Sequence, residues 1–223
     1  MPKTTARRWA TQDPVKDEEL ERCPVCQDGD ALDRAPASYC YLLGQYLGDG
    51  HLVTRARVPV LRVYACTDYP EVTREIGSAV RSVRGREPGL VTGPARSERV
   101  VTVQSYWMHW PCLFPQHGPG RKHERRIVLA PWQQELVETH PWPLIRGLIH
   151  SDGCRATNRV RAHGTTYAYP RYFFSNKSAD ILAIFTDALD RVGVQWRLNR
   201  YDSVSVARRT SVARLDEHVG AKR

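Results

Sequence analysis

No run of eighteen apolar residues occurs in the 223-residue chain, so no segment reads as a membrane-spanning helix. Residues 1–8 are basic but no apolar stretch follows them, which argues against a secretory signal. Cysteine is sparse: 6 residues without a paired framework point to a reducing compartment. A cytoplasmic, intracellular location is therefore expected. Acid is in deficit too, with 24 Asp plus Glu against 33 Lys plus Arg and a net charge of +9. That balance favours a polyanionic partner. The length is enough for one or two compact units with a real core.

What the chain does have is a repeat. Leu-Leu-Gly-Gln-Tyr-Leu-Gly-Asp-Gly at 42–50 returns as Ile-Arg-Gly-Leu-Ile-His-Ser-Asp-Gly at 145–153. Gly44 and Gly48, like Gly147 and Ser151, are four apart, so each pair forms a smooth stripe on a helix. Such stripes let two helix backbones come close. Gly50 and Gly153, one after each aspartate, suit left-handed helix caps. If the helices pack together, Asp49 and Asp152 meet at C-terminal ends that are already negative. A bound cation would resolve the conflict.

The flanking segments repeat as well. Strands are expected at 51–54 and 58–66, then a helix from Pro70 with Val72, Ile76, Val80 and Val83 at helical spacing, then a strand at 98–106. After the second motif come strands at 158–162 and 166–175. A helix at 179–192 shows Ile181, Leu182, Ile184, Phe185, Leu189 and Val192 on one face and stops at Gly193. Strands at 194–198 and 203–207 and a helix at 210–218 close the chain. The order α-β-β-α-β-β-α appears twice, an α+β pattern that constrains the fold more than any single propensity. Each repeat also ends on lysine: Lys122 lies 73 residues after Asp49, and Lys222 lies 70 after Asp152. Spacing alone leaves Lys122 in a basic loop and Lys222 at a terminus.

The paired motifs resemble those of LAGLIDADG homing endonucleases in their single-chain form, over roughly residues 38–222. The resemblance implies two pseudo-symmetric αββαββα repeats that form a DNA-binding β-saddle. The motif helices would pack at the repeat interface, with Gly44 and Gly147 at the contact. It divides the chain into a polar extension (1–37) with a CxxC turn, a first repeat (38–122), a linker (123–143) and a second repeat (144–223). It further implies metal-dependent cleavage of double-stranded DNA at a long asymmetric site by a monomeric pseudo-dimer. Asp49 and Asp152, with the backbone carbonyls of Gly48 and Ser151, would hold two or three Mg²⁺ ions. Lys122 and Lys222 would point into the active site. Asn176 matches the family's water-organising position, and Thr67, its counterpart, is a poorer candidate. Two alternatives remain. One is a LAGLIDADG-like transcription regulator with little nuclease activity. Both aspartates, both lysines and the lack of a convincing helix-turn-helix in 1–37 argue against it. The other is an RNA-binding, maturase-like splicing factor.

Arginines alternating with Tyr, Gln, Asn and Ser along strands suit a β-ribbon in the major groove. The candidate DNA contacts are Arg55, Arg57, Arg62, Arg121, Arg159, Arg161, Tyr169, Arg171, Arg197, Arg200 and Arg208. Tyr167, Tyr169, Arg171 and Phe173 share one face of their strand, which is either core or DNA side. Cys23-Pro24-Val25-Cys26 reads as an ordinary turn or as half of a structural Zn²⁺ site. His109-Trp110-Pro111-Cys112 would supply the other half, with His117 and His123 as rival ligands. A redox pair is disfavoured, because no thioredoxin-like pattern surrounds it. Cys40, Cys66 and Cys154 read as small core residues.

Overall fold

A computed structural model describes residues 31–92 and 99–223. A short helix, α1 (Ala31–Arg34), leads into α2 (Pro36–Asp49). Then follow β1 (Gly50–Val53), β2 (Val60–Cys66), α3 (Pro70–Arg84), β3 (Gly89–Thr92) and β4 (Val100–Tyr106). After them come α4 (Trp110–Leu113), a single 3₁₀ turn (Lys122–Glu124) and α5 (Pro131–Thr139). The second half runs α6 (Pro141–Asp152), β5 (Gly153–Ala162), β6 (Thr165–Ser175), α7 (Ala179–Arg191), β7 (Arg197–Arg200), β8 (Ser203–Val206) and α8 (Arg209–His218). The strands form two antiparallel sheets, ordered β1-β2-β4-β3 and β5-β6-β8-β7. The repeat read from the sequence is therefore a repeat of strand order.

Both motif helices start on a proline, whose missing N–H costs nothing at a first turn. In α2, residues 39–47 are all buried. A helix apolar all round belongs at the centre of a protein, and α2 lies there against α6. Helix α3 buries Val72, Ile76, Val80 and Val83 as its spacing suggested, plus Ala79. Helix α7 buries Ile181, Leu182, Phe185 and Leu189, starts on a Ser178 side-chain cap and turns off at Gly193 (φ 65°). Among the described residues no helix is long and apolar enough to cross a membrane.

Several sequence expectations need correction. Strand β3 was not expected, because Gly-Leu-Val-Thr is too short to show alternation. Strand β5 begins at Gly153 rather than 158, directly after the aspartate. β7 covers Arg197–Arg200 rather than 194–198. The first repeat closes on the four-residue α4 and a 3₁₀ turn, not on a full helix. The linker stretch 123–143 carries a packed helix. Its α5 buries Gln133 and Val137, and Gln133 Nε2 donates to Tyr39 Oη at 2.6 Å. That hydroxyl in turn donates to the Leu113 carbonyl at 2.6 Å.

Gly50 and Gly153 are not left-handed caps. Their φ values are −86° and −104°, extended backbone open to any residue. Glycine is needed there for space. A Cβ on Gly153 would lie 2.8 Å from Ile149 Cα and 2.9 Å from the Phe173 carbonyl oxygen, and one on Gly50 would overlap Tyr46.

Each sheet has one face on the helices and one open. In the first, Leu61, Val63, Ala65, Val101 and Val103 face inward, leaving Arg62, Tyr64, Thr102 and Gln104 outside. In the second, Tyr172, Phe174, Val204 and Val206 are buried. The face carrying Tyr167, Tyr169, Arg171 and Phe173 is thus the open one. Cys40 is core, whereas Cys154 is exposed.

Candidate functional site

The aspartates are brought together by the contact between α2 and α6. A Cβ on Gly44 would stand 2.6 Å from the Leu144 carbonyl oxygen and 2.7 Å from Leu148 N. One on Gly147 would overlap the Tyr41 carbonyl and lie 3.0 Å from Gly44 Cα. The helices therefore touch backbone to backbone, which side chains at either position would prevent. At the next turn a Cβ on Gly48 would strike Ser151 and lie 3.1 Å from Asp152 Oδ2. Both helices end here, and both end on carboxylates.

Electrostatics record the crowding. Burial, and then the neighbouring Asp152 charge, push the Asp49 carboxyl up to about 6, with Lys222 and Lys122 opposing. The Asp152 carboxyl is raised by burial as well, opposed by a hydrogen bond from Asn176 and by both lysines. Lys122 Nζ donates to the carbonyls of Gly48 (2.9 Å), Leu47 (3.1 Å) and Tyr46. Lys222 Nζ donates to the Ser151 carbonyl at 2.7 Å. The negative helix ends expected to need a bound cation thus already hold ammonium groups, a favourable partner for a C-terminal dipole. The Gly48 and Ser151 carbonyls, expected as metal ligands, accept these bonds. Burial lowers Lys122 to about 8 and lowers Lys222 too, while both aspartates pull the other way.

Lys222 is fixed by a contact that the sequence did not reveal. The carbonyl oxygen of Arg223 accepts from the backbone N–H groups of Glu71 (2.9 Å) and Val72 (3.3 Å), at the start of α3. Lys222 Nζ also lies 5.8 Å from the centre of the Tyr69 ring. The first repeat's helix therefore anchors the second repeat's lysine.

Asn176 follows the end of β6. Its Nδ2 donates to Asp152 Oδ2 at 2.7 Å, and its Oδ1 accepts from Ser178 N at 2.8 Å. Thr67 takes the same backbone place after β2: its N–H donates to the Arg99 carbonyl, as that of Asn176 does to Asp202. Thr67 makes no side-chain bond to Asp49 among the described residues. A cavity of about 390 Å³ opens on the Asp152 side. Gly48, Lys122, Asp152 and Asn176 line it, joined by Arg121, His123 and Lys177. Lys177 was not picked out from the sequence, although it adjoins Asn176. From the sequence, His123 reads only as a rival zinc ligand.

Among the described residues no group of three or more His, Cys, Asp or Glu could hold a metal ion. Two carboxylates alone still fit Mg²⁺, which keeps waters and shares substrate phosphates rather than requiring an all-protein cage. Of the zinc set, Cys23 and Cys26 lie outside the described residues. His109 and Cys112 stand one turn apart at α4, and His117 Nδ1 is 3.0 Å from the Phe114 carbonyl oxygen.

The arginines divide by partner. None of the described strands contains Asp or Glu. Acidic partners hold Arg146 (Glu75, 2.6 Å), Arg155 (Asp216, 2.6 Å) and Arg191 (Glu138, 2.9 Å). Of the DNA candidates, Arg62, Tyr169 and Arg171 lie on open faces, and Arg197, paired with Ser205 opposite Phe173, joins them. Arg55, Arg57 and Arg200 are exposed. Arg159 and Arg161 pair with Ala168 and Thr166, so they point to the face opposite Tyr169. Arg121 lies 3.8 Å from Glu124, and Arg208 donates to Gln195.

No protein-family model and no curated protein matches this sequence. Solved structures do. A mesophilic variant of the homing endonuclease I-DmoI aligns with a TM-score of 0.52 at 12% identity, over 84% of this chain and 98% of that one. The N-terminal LAGLIDADG domain of DUF199/WhiA aligns with a TM-score of 0.52 at 13% identity, over 93% and 91%. I-DmoI in complex with DNA and Mn gives 0.51 at 13%, over 85% and 99%. The chain has the LAGLIDADG fold.

Proposed function

We propose that the chain is a metal-dependent, site-specific endonuclease of double-stranded DNA that acts as a monomer on one long asymmetric site. One observation carries this reading. Two carboxylates converge at paired helix ends, each end holding a lysine ammonium, and a cavity lined by Asp152, Lys122 and Asn176 opens beside them. The I-DmoI complex with DNA and Mn supports a duplex partner and a divalent ion for this fold.

Hydrolysis adds water to phosphorus, breaks one P–O ester bond and leaves the water's proton on the departing oxygen. On this reading Asp49 and Asp152 hold two or three Mg²⁺ ions. When bound, these polarise the phosphate and lower the pKa of water. The chain's own residues do the rest. Asn176, fixed by Ser178 and Asp152, is the polar group that orients water on the Asp152 side. Lys122 offsets charge on the phosphate and, with its proton held at a pKa of about 8, can exchange it near neutral pH. Lys222 serves the Asp49 side, where Thr67 is the weaker counterpart of Asn176. Arg121 and Lys177 give the cavity a positive rim for the DNA backbone, with His123 beside them.

The test is Asp49→Asn and Asp152→Asn, singly and together. Double-strand cleavage should vanish, while affinity for the preferred duplex stays within roughly tenfold, about 1.4 kcal/mol. Cleavage by the double variant at the wild-type rate overturns the assignment. The likeness to the WhiA domain over 93% of this chain favours a second reading, a DNA-binding regulator. Specific binding without cutting by the wild type, with Mg²⁺ present, would select it.

A further inference from the structure

The two open faces differ in chemistry. Across the first sheet the register sets His51, Arg62 and Gln104 in one row over three adjacent strands. None of their side chains spends a hydrogen bond or ion pair within the described residues. Arg62 is therefore a planar fork, and Gln104 an amide, with donors to offer outward. In the major groove a fork of this kind matches guanine O6 and N7, and an amide matches adenine N6 and N7.

The second sheet presents a longer and more apolar surface. β5 and β6 pair from Gly153–Phe174 to Ala162–Thr165 without a bulge. The ribbon closes at His163 (φ 50°) and Gly164 (φ 75°), the left-handed pair that a type I′ hairpin turn requires. Its open face carries Asn158 opposite Tyr169 and Val160 opposite Tyr167. Val160, Tyr167 and Tyr169 are 44%, 43% and 49% exposed, and the two rings lie parallel with centres 6.3 Å apart. Beyond Arg171, which lies on the same face nearer the ribbon's base, Asn158 is the one side chain that can make a bidentate bond to a base edge, and adenine is its match. The apolar groups suit the C5 methyl of thymine.

We propose that the protein reads two chemically distinct half-sites. The first sheet selects a G·C pair through Arg62 beside an A·T pair through Gln104. The second ribbon selects an A·T run, with Asn158 on adenine and Val160 on a thymine methyl. This rests on duplex binding through the open faces, as in the proposed function, but not on cleavage.

The experiment is selection of bound duplexes from a randomised pool by the full chain with Ca²⁺, read by gel shift and sequencing. The expected product has one G-containing half and one A·T-rich half. Arg62→Ala should relax the guanine position alone, and Asn158→Ala the adenine position in the other half alone. Each should weaken binding of the preferred duplex by about 5- to 150-fold, the range for a good bidentate pair. Replacing thymine by deoxyuridine in the second half should weaken the wild type, and should weaken Val160→Ala no further. Equal composition in both halves overturns the inference. So do variants that weaken every sequence alike, since that is the mark of a phosphate contact. A chain that selects as described but never cuts removes the nuclease reading alone, and a chain that retains no duplex overturns both.

Discussion

Gly44→Ala tests how the carboxylates are brought together. On an isolated helix the change would help, because alanine is favoured over glycine by about 1 kcal/mol. In this fold the new Cβ would stand 2.6 Å from the Leu144 carbonyl oxygen, 2.7 Å from Leu148 N and 2.9 Å from Gly147 C. All three are backbone atoms of α6, so no rotamer can relieve the contact. Non-bonded carbon sits best at about 3.5–4.0 Å, so α6 must withdraw by roughly 1 Å. Overpacking of this kind costs about 1–3 kcal/mol. After the propensity gain, a net loss of up to about 2 kcal/mol remains, each kcal/mol costing about 2–4 °C in Tm for a chain of this size. The shift carries to Asp49, just over one turn onward. A displacement of about 1 Å can cost about a hundredfold in rate, so cleavage should fall far more than DNA affinity. Thermal unfolding, strand cleavage and gel shift on one preparation would measure all three. Gly77→Ala is the control, because its Cβ would meet only Pro88 Cγ at 3.7 Å and should be neutral or stabilising. A Gly44→Ala protein as stable as the Gly77→Ala control would refute the close-contact argument.

Three further outcomes follow from the same geometry. Asp49, raised to about 6 from 3.8, holds its proton more tightly folded than unfolded, so its stabilisation is complete below about pH 4 and lost as pH rises through 6. Metal-free Asp49→Asn should therefore gain on wild type by about 1–3 kcal/mol above pH 6 and gain nothing below pH 4. A difference in chemical-denaturation stability that stays flat with pH would reject this, and His150, held at about 4 by burial, cancels because both proteins contain it. If Cys23, Cys26, His109 and Cys112 bind Zn²⁺, elemental analysis should find close to one equivalent. Cys23→Ser should then lower Tm, since a structural zinc's binding energy is folding energy. Sedimentation should give one chain per duplex, with affinity falling by about 0.9 log units per log unit of salt for each phosphate neutralised. Two chains per duplex would end the monomer reading.

The motif helices were legible because their signal is doubled. An all-round apolar helix with small residues four apart and a terminal Asp-Gly is unusual once, and its recurrence 103 residues later turns a local pattern into an architecture. The lysines were legible only by their place at each repeat's end. Their actual partners, the last carbonyls of α2 and α6, depend on how the chain returns, which local sequence does not encode. The β5–β6 ribbon shows why faces could not be assigned. From Thr165 to Pro170 every residue is exposed, so no apolar alternation marks the inner side. Only the buried Tyr172 and Phe174 at its base set the parity, and this parity separates Arg159 and Arg161 from Tyr169 and Arg171. The net charge of +9 also acquires a location only through the fold. Carboxylates on helices neutralise Arg146, Arg155 and Arg191, while the acid-free strands leave Arg62, Arg171 and Arg197 unpaired among the described residues. An overall excess of base shows only that a polyanion is welcome. Unpaired arginines on the two open sheet faces give the proposed duplex partner a surface that the net charge alone could not locate.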